Sequence, residues 1–317
     1  MERLIWKNGK IVPESEAVVS VYDSAMMFGD CVFEMTRSFN GKQFRLREHL
    51  ERLFRSAAHV RIPMDYDIDE LEVACFETQD ANKFAPDDEH RLMINVTRGT
   101  LPMYEDTGRT GTNVTICDFP LRWTVAGMGK LFDDGINAVT PSQRAIPAHL
   151  LDPKVKSRSR LHYLMANIQA SRFIGDNNWP LLFDENGFAT EGTGANFFIY
   201  GEVPWYIDFK MLRTPHHDNV LNGISREYIE DLDQNTAADD INETDICEAS
   251  EAFFTATPFC MLPVVSINEH LIGDGKVGPK YKSLLRKWSE NVGVDIKGQI
   301  QAWDKGGKEG PSAYKFK

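Results

Sequence analysis

A lysine near the middle of the chain, Lys156, has neighbours that suit covalent chemistry. It lies in the basic stretch PKVKSRSR, residues 153–160, together with Lys154, Arg158 and Arg160. A lysine that attacks a carbonyl group must be neutral part of the time, and burial or nearby cations favour the neutral amine. A solvated basic loop before a helix has the same composition, so the interpretation of Lys156 depends on other motifs.

Three such motifs follow Lys156 along the chain. Glu191 lies in TEGTGAN, residues 190–196, a glycine-rich turn before an apolar run that could direct its carboxylate inward. Gly223-Ile224 opens a predicted helix whose free N–H groups and dipole favour an anion. The stretch 255–257, Thr-Ala-Thr, offers further amides and hydroxyls. An amine, a carboxylate for a protonated ring nitrogen and two phosphate sites are the parts that hold pyridoxal phosphate (PLP).

The composition excludes several other classes of protein. The chain has 317 residues, 42% of them hydrophobic, and a formal net charge of -12, which argues against a nucleic-acid surface. No apolar stretch is long enough for a signal peptide or a membrane span, so we expect a cytoplasmic protein without a membrane partner. Five widely spaced cysteines indicate neither a disulfide framework nor a metal site.

Periodicity predicts short strands mixed with helices, and hence an α/β (α+β) fold. In the N-terminal part, Asn40-Gly41 between apolar residues predicts a hairpin, and residues 46–60 predict a helix with Arg52 and Arg55 on its wet face. We also expect a strand at residues 17–21 and a core position for Met26-Met27.

The same pattern predicts the domain organisation. We expect a small N-terminal α/β domain (1–122), a glycine-bearing linker (123–132), a large C-terminal domain (133–300) and a loose tail (301–317).

Taken together and in order, these motifs resemble the class IV aminotransferases, the PLP fold-type IV family that includes branched-chain and D-amino-acid aminotransferases. Three N-terminal stretches are also similar to the family: FGDCVFE (28–34), NGKQFRL (40–46) and HLERLFRSA (49–57). The resemblance covers roughly residues 3 to 290. It implies a two-domain fold in which the C-terminal domain binds PLP.

The resemblance also implies roles for individual residues. Lys156 is then the lysine that forms the imine with PLP and the general base of the reaction, and Glu191 is the partner of the pyridinium nitrogen. The phosphate is held by Arg61, by the amides of Gly223 and Ile224 and by the hydroxyl of Thr257. The family further implies ping-pong transfer from an amino donor to a 2-oxo acid. It also implies a homodimer in which a loop at about Thr100–Thr110 closes the neighbour's active site.

The substrate is less defined than the cofactor. Where the D-amino-acid branch traps a carboxylate with Tyr, Arg and His, this chain has Phe33, Met103 and Glu105, and Pro258 removes an amide that the branched-chain scheme uses. Arg37 and Arg91 are candidates for pairing with the substrate carboxylate.

Phe33, Met35 and Met103 suggest an apolar, branched-chain-like amino acid. The alternatives are an (R)-selective primary amine transaminase, an aminodeoxychorismate-lyase-like PLP lyase and a degenerate binding protein.

Overall fold

The computed structural model describes residues 2–107, 111–203 and 206–305. The chain forms two compact units. The first unit contains Met1–Trp123 and Val155–Arg160, and the second contains Thr124–Lys154 and Leu161–Lys317. Both units combine helices with β-sheet, so the predicted mixed fold is confirmed.

The first unit is built on a five-stranded antiparallel sheet in the order β2-β1-β7-β6-β3, with a separate β4–β5 hairpin that turns at the predicted Asn40-Gly41. Its elements are β1 (Leu4–Lys7), β2 (Lys10–Pro13), α1 (Ser24–Phe28), β3 (Cys31–Met35), β4 (Ser38–Phe39), β5 (Lys42–Gln43), α2 (Leu46–His59), α3 (Ile68–Ala81), β6 (His90–Thr97), β7 (Asn113–Pro120) and the start of α4 (Arg122–Val125).

Helices α2 and α3 cover one face of this sheet. The apolar stripe of α2, with Leu50 and Leu53, is fully buried against Ile94 and the other inward residues of the strands. A capping box begins α3, because the side chain of Asp67 accepts from the backbone of Glu70 and the Glu70 side chain accepts from that of Asp67, each at 2.8 Å. The opposite face of the sheet carries Phe33 and its neighbours.

The stretch Val155–Arg160 lies along β3 like a short extra strand. An antiparallel bridge joins Val32 to Ser157. The carbonyl of Lys156 accepts from the amide of Phe33 at 3.0 Å, and the amide of Arg158 donates to the carbonyl of Cys31 at 2.8 Å. The sequence pattern places these residues in the C-terminal domain, but their pairing with β3 makes them part of the first unit.

The second unit contains a nine-stranded sheet. Strand β10 pairs with both β9 and β11, so the path β10-β9-β8-β15-β14-β11 closes on itself, with β12 and β13 beyond β11. Its elements are α5 (Leu131–Asp134), β8 (Ile136–Val139), α6 (Leu161–Ala170), β9 (Asn178–Phe183), β10 (Ala189–Gly192), β11 (Asn196–Val203), β12 (Tyr206–Pro215), α7 (Ile224–Leu232), β13 (Thr236–Asp239), α8 (Glu243–Glu248), β14 (Glu251–Ala256), β15 (Cys260–Ile267), β16 (His270–Leu271), α9 (Pro279–Val292) and α10 (Ile296–Lys305).

The predicted linker and tail are more ordered than their composition suggests. Residues 123–132 include parts of α4 and α5, and the carboxylate of Asp304 fixes the amides of Gly127 and Gly129 at 2.8 and 2.6 Å. Since Asp304 belongs to α10, the first residues of the predicted loose tail are helical. Residues 306–317 lie outside the described part of the chain. The predicted domain boundaries themselves stay a prediction.

The segment before β3 differs from the prediction. Residues 17–20 form no regular element, and Val18 and Val21 are exposed. Met26 and Met27, expected in the core, lie on the exposed side of α1. Apolar composition predicted burial here, but none of the described strands and helices of the first unit covers these side chains.

No helix within residues 2–107, 111–203 and 206–305 is long and apolar enough to cross a membrane. All five cysteines are free.

Asp118 on β7 gives the first unit a pH-dependent stability. Its side chain is fully buried and hydrogen-bonded to Nδ1 of His90 at 2.7 Å, and burial raises the pKa of this carboxyl to about 6. An unfolded aspartate has a pKa of about 3.9. The carboxyl therefore stabilises the fold below about pH 4, and this contribution is lost as the pH rises through about 6.

We expect Asp118→Asn to remove this dependence. The free energy of unfolding of the variant, relative to the wild type, should rise by up to about 3 kcal/mol between about pH 4 and about pH 7, because the variant has no buried charge to create. Urea unfolding at several pH values measures the difference. Asp80→Asn, at an exposed site on α3, is the control and should show no such trend. Parallel pH profiles for Asp118→Asn and wild type would contradict the assignment.

Candidate active site

Lys156 is half-buried beside an aromatic ring. Its backbone amide donates to Oγ of Ser56 on α2 at 3.1 Å, and its Nζ lies 5.1 Å from the centre of the Phe33 ring. The structure therefore brings together two residues that the sequence predicted for the site. Both the backbone amide and the backbone carbonyl of Lys156 are hydrogen-bonded, and its side chain lies against an aromatic ring. This arrangement gives the amine a defined direction and restricts its access to water.

A buried ionic cluster lies on the other face of β3. The carboxylate of Glu34 accepts from Nε of Arg52 at 2.6 Å and contacts Nδ1 of His49 at 2.7 Å. Burial opposes the ionisation of Glu34, yet the Arg52 guanidinium and the His49 ring hold its pKa well below the ordinary value. Burial also lowers the pKa of His49, and the charge of Lys156 lowers it further. The predicted wet position of Arg52 is wrong, because Glu34 draws the guanidinium inward.

Arg61 lies just after α2 and is exposed. Its backbone has a left-handed conformation with φ of 56°, its amide donates to the carbonyl of Ala58, and its own carbonyl accepts from Nη1 of Arg98 at 2.6 Å. This turn is therefore fixed through its backbone, and the predicted phosphate contact of the side chain stays a prediction.

The two arginines predicted for the substrate carboxylate are both buried in the first unit. The guanidinium of Arg37 lies 3.8 Å from the centre of the Phe39 ring, and its Nε donates to the carbonyl of Ser38. Nη2 of Arg91 lies 3.7 Å from the sulfur of Met35. The predicted role of both arginines is to pair with the substrate carboxylate. Their burial is compatible with this role, because the attraction between opposite charges is stronger where water is excluded.

In the second unit, Glu191 on β10 is only 6% exposed and is held by three donors. Its Oε1 accepts from the hydroxyl of Tyr163, and its Oε2 accepts from Nδ2 of Asn196 at 3.1 Å and from the amide of Leu221 at 3.2 Å. These three donors are a hydroxyl, a side-chain amide and a backbone amide. Such a carboxylate is positioned to pair with a protonated ring nitrogen.

Gly223 lies next to this carboxylate network. It is the N-cap of α7, and a Cβ built on it would lie only 2.0 Å from Oδ1 of Asn196. Asn196 in turn bonds to both Glu191 and the carbonyl of Leu221. Gly223 and the buried Ile224 therefore present the first amides of α7 close to the Glu191 network, which suits an anion.

Thr257 begins the turn between β14 and β15. Strand pairing aligns Glu191 with Asn196 and Asn196 with Thr255, so this turn follows a strand that neighbours the Glu191 network. The hydroxyl of Thr255 donates to the carbonyl of Cys260, a buried residue with φ of 64°. Backbone strain of this kind is concentrated at functional turns. The predicted hydroxyl donor Thr257 is half-buried at the start of the turn.

Sequence reasoning missed Tyr163 and Asn196. Tyr163 lies seven residues after Lys156 on α6, and Asn196 begins the apolar strand β11, so both were adjacent to recognised motifs. Their partners are distant in sequence, and spacing alone gave no reason to select them. No three His, Cys, Asp or Glu side chains of the described chain are grouped so as to hold a metal ion.

Comparison with known proteins identifies the family. The family model for amino-transferase class IV matches residues 31–267. The chain belongs to the class IV aminotransferases.

Individual class IV aminotransferases resemble this chain over most of their length. A candidate branched-chain-amino-acid aminotransferase of Methanocaldococcus jannaschii is 33% identical over 300 residues, which are 91% of this chain and 98% of that protein. D-alanine aminotransferase of Bacillus licheniformis is 29% identical and covers 87% of this chain and 93% of its own.

Solved structures show the same similarity. A branched-chain amino acid aminotransferase from T.th., complexed with N-(5'-phosphopyridoxyl)-L-glutamate, has a TM-score of 0.80 at 25% identity, with 96% of this chain and 97% of that chain covered. The protein with the present sequence therefore has the predicted PLP fold-type IV architecture. It uses PLP and catalyses transamination between amino acids and 2-oxo acids.

Because Gly223 lies so close to Asn196, we expect a larger residue at position 223 to weaken PLP binding. In Gly223→Ala the new methyl group must displace Asn196, which weakens the hydrogen bonds to Glu191. A hydrogen bond to a charged group contributes about 1.5–3 kcal/mol, so we expect PLP to bind about 10- to 100-fold more weakly. Fluorescence titration of the apoenzyme measures the affinity, and thermal unfolding verifies the fold.

A double-mutant cycle with Asn196→Ala is the control. If Gly223→Ala acts through Asn196, the double variant has the same affinity for PLP as the single variant with the lower affinity, or a higher one. Additive losses would show that Gly223→Ala acts by another route.

Proposed function

We propose that this enzyme transfers the amino group of an apolar, branched-chain-like amino acid to a 2-oxo acid in two ping-pong half-reactions, with Lys156 as the lysine that holds the cofactor. The observation that carries the proposal is the placement of the Lys156 amine over the Phe33 ring by a backbone that pairs with β3. This arrangement supports a reactive amine with one direction of approach, as near-attack geometry requires.

The residues of the second unit fit the cofactor. When bound, PLP supplies an aldehyde and a protonated ring that withdraws electrons from the substrate α-carbon. Glu191 would pair with the ring nitrogen, because it is buried and its charge is already fixed in direction by Tyr163 and Asn196. Gly223, Ile224 and Thr257 would hold the phosphate, and the close contact at Gly223 leaves room there for no larger residue.

Lys156 would also move a proton. Once the substrate amine replaces it, the Lys156 amine is available to take the proton from the substrate α-carbon and return it to the cofactor. The neighbouring His49 has a pKa lowered by burial, so it adds no competing positive charge at neutral pH.

Arg61, the position carried over from the family, is the arginine proposed to contact the phosphate. Its turn is fixed through its backbone carbonyl, which accepts from Arg98. Arg37 and Arg91 remain the proposed partners of the substrate carboxylate.

The substrate preference rests on Phe33, Met35 and the relatives. Both the branched-chain and the D-alanine enzymes are similar to this chain, so an apolar amino acid is the shared expectation. The solved relative carries a phosphopyridoxyl-glutamate, which supports glutamate as the second amino acid of the cycle. The (R)-amine transaminase and the lyase remain alternatives.

The homodimer is supported by an apolar patch on the first unit. Large apolar side chains there are 66 to 75% exposed: Val18, Val21, Met26, Phe28 and Met103. Monomeric proteins rarely expose so many neighbouring apolar groups. The rings of Tyr22 and Tyr104 lie 5.2 Å apart, which ties the segment before β3 to the loop predicted to close the neighbour's site. Residues 108–110 of that loop lie outside the described residues. A cytoplasmic location stays a prediction.

Replacement of Lys156 tests the central assignment. Lys156→Ala should lose the long-wavelength absorbance of bound PLP and at least about 10³-fold in turnover with L-leucine, because both the covalent link and the base are removed. Lys154→Ala is the matched control, since Lys154 pairs with exposed Asp218 and should be dispensable. D-Alanine and (R)-1-phenylethylamine, assayed in parallel on wild type, should react more slowly than L-leucine. Normal turnover of Lys156→Ala would refute the proposal.

Disruption of the apolar patch tests the dimer. Phe28→Asp buries a charge in any interface formed by the patch, so sedimentation equilibrium should show an association constant of the dimer that is lower by at least about 10-fold. Val73→Asp, at an exposed apolar site on α3, should leave the dimer unchanged. A wild-type protein that sediments as a monomer at micromolar concentration would contradict the dimer.

A further inference from the structure

A groove on the second unit lies where α9, α10 and α5 meet. Its volume of about 510 Å³ falls within the range of ligand-binding pockets, about 300–1,000 Å³. The buried side chains of Phe132, Tyr281 and Leu285 line it, at 2%, 2% and 7% exposure, and Val294 is a further apolar residue of the lining. Gly293 ends α9 with a φ of 69° and places no side chain at the edge of the groove. The groove is therefore suited to covering the apolar part of a ligand.

The charged groups next to Phe132 carry an excess of positive charge. Nζ of Lys297 donates to Oδ1 of Asp133, whose Oδ2 accepts from Nε2 of Gln301 at 2.8 Å. The hydrogen bond from Lys297 lowers the pKa of Asp133, and the charge of Lys282 lowers it further, so both lysines lie near this carboxylate. Unlike Lys297, Lys282 forms no ion pair among the residues that the structure describes. Two ammonium groups thus lie near one carboxylate, and this part of the groove attracts a further anion.

The acidic side chains that line the groove are engaged in contacts of their own. Oε1 of Glu290 lies 3.9 Å from Nε of Arg286, one turn earlier on α9. Oδ1 of Asp295 accepts from the amide of Gly298 at 3.0 Å, so this carboxylate caps the first turn of α10, where the helix dipole stabilises its charge. The unbalanced charge of the groove is therefore the positive charge of Lys282.

We propose that this groove binds an apolar monocarboxylic acid, with its carboxylate at Lys282 and its hydrocarbon chain on Phe132 and Leu285. Apolar 2-oxo acids and medium-chain fatty acids share this chemistry. A dicarboxylic acid is disfavoured, because its second charge would have to leave water for the apolar side chains. The groove contains none of the residues that we propose for the cofactor, so the inference does not depend on the role of Lys156.

Calorimetric titration of the PLP-bound protein with octanoate tests the site. Lys282→Gln removes the charge of an exposed side chain, so octanoate should bind at least about 3-fold more weakly. Val294→Asp places a negative charge in the groove and should weaken binding by at least about 10-fold. Lys287→Gln, at an exposed site of α9 outside the groove, is the matched control and should leave the affinity unchanged. Thermal unfolding verifies that each variant folds.

The choice of ligand distinguishes the two sources of the acid. Octanoate should bind at least about 10-fold more tightly than butyrate, because each buried methylene group strengthens binding. A fatty-acid site prefers octanoate to 4-methyl-2-oxopentanoate, and a 2-oxo-acid site shows the reverse preference. Equal octanoate binding by wild type, Lys282→Gln and Val294→Asp, or no binding at about 1 mM, overturns the inference. Lys156→Ala should bind octanoate in the groove like the wild type, so a failure of the proposed function is detected separately.

Discussion

The pairing of residues 155–160 with β3 is the interaction on which the candidate site depends. Two backbone hydrogen bonds, from Phe33 to Lys156 and from Arg158 to Cys31, fix this stretch as an extended strand. Because alternate side chains of an extended strand face the same way, Lys156, Arg158 and Arg160 all lie on one side of it. Without this pairing, nothing would fix the direction of the Lys156 side chain over the Phe33 ring.

The two faces of the sheet at β3 carry different sets of charged side chains. The cluster of Glu34, His49 and Arg52 lies in the core between the sheet and α2, and its charges are balanced internally. The opposite face carries Phe33 and the cations of the 155–160 stretch. A buried ion pair of this kind is costly to break, which favours a rigid β3. The rigidity of β3 in turn fixes the direction of the Lys156 amine.

In the second unit, the corresponding feature is a buried carboxylate that is fixed by hydrogen bonds. Glu191 is held by a hydroxyl, a side-chain amide and a backbone amide, and Asn196 links it to the start of α7 through its contact with Gly223. The carboxylate is therefore in direct contact, through Asn196, with the helix end that we propose for the phosphate. Displacement of one residue in this network alters both.

Sequence motifs selected the candidate site residues, and sequence-based expectations failed where tertiary contacts decide. Lys156 and Glu191 were selected because their residue types and order follow the chemical requirements of PLP. The burial of Arg52 could not be predicted, since it depends on Glu34, eighteen residues away on another element. The exposure of Met26 was missed because composition does not show whether a covering element exists. Tyr163 was missed because its partner Glu191 lies on a distant strand.

The most direct test of the central claim is chemical trapping of the cofactor. Borohydride reduction of the holoenzyme, followed by peptide mapping with mass spectrometry, identifies the lysine that carries the phosphopyridoxyl group. The structure predicts a single modified site at Lys156, because pairing with β3 holds this primary amine over Phe33. Modification at Lys154 or at any lysine outside residues 155–160, with Lys156 unmodified, would contradict the account.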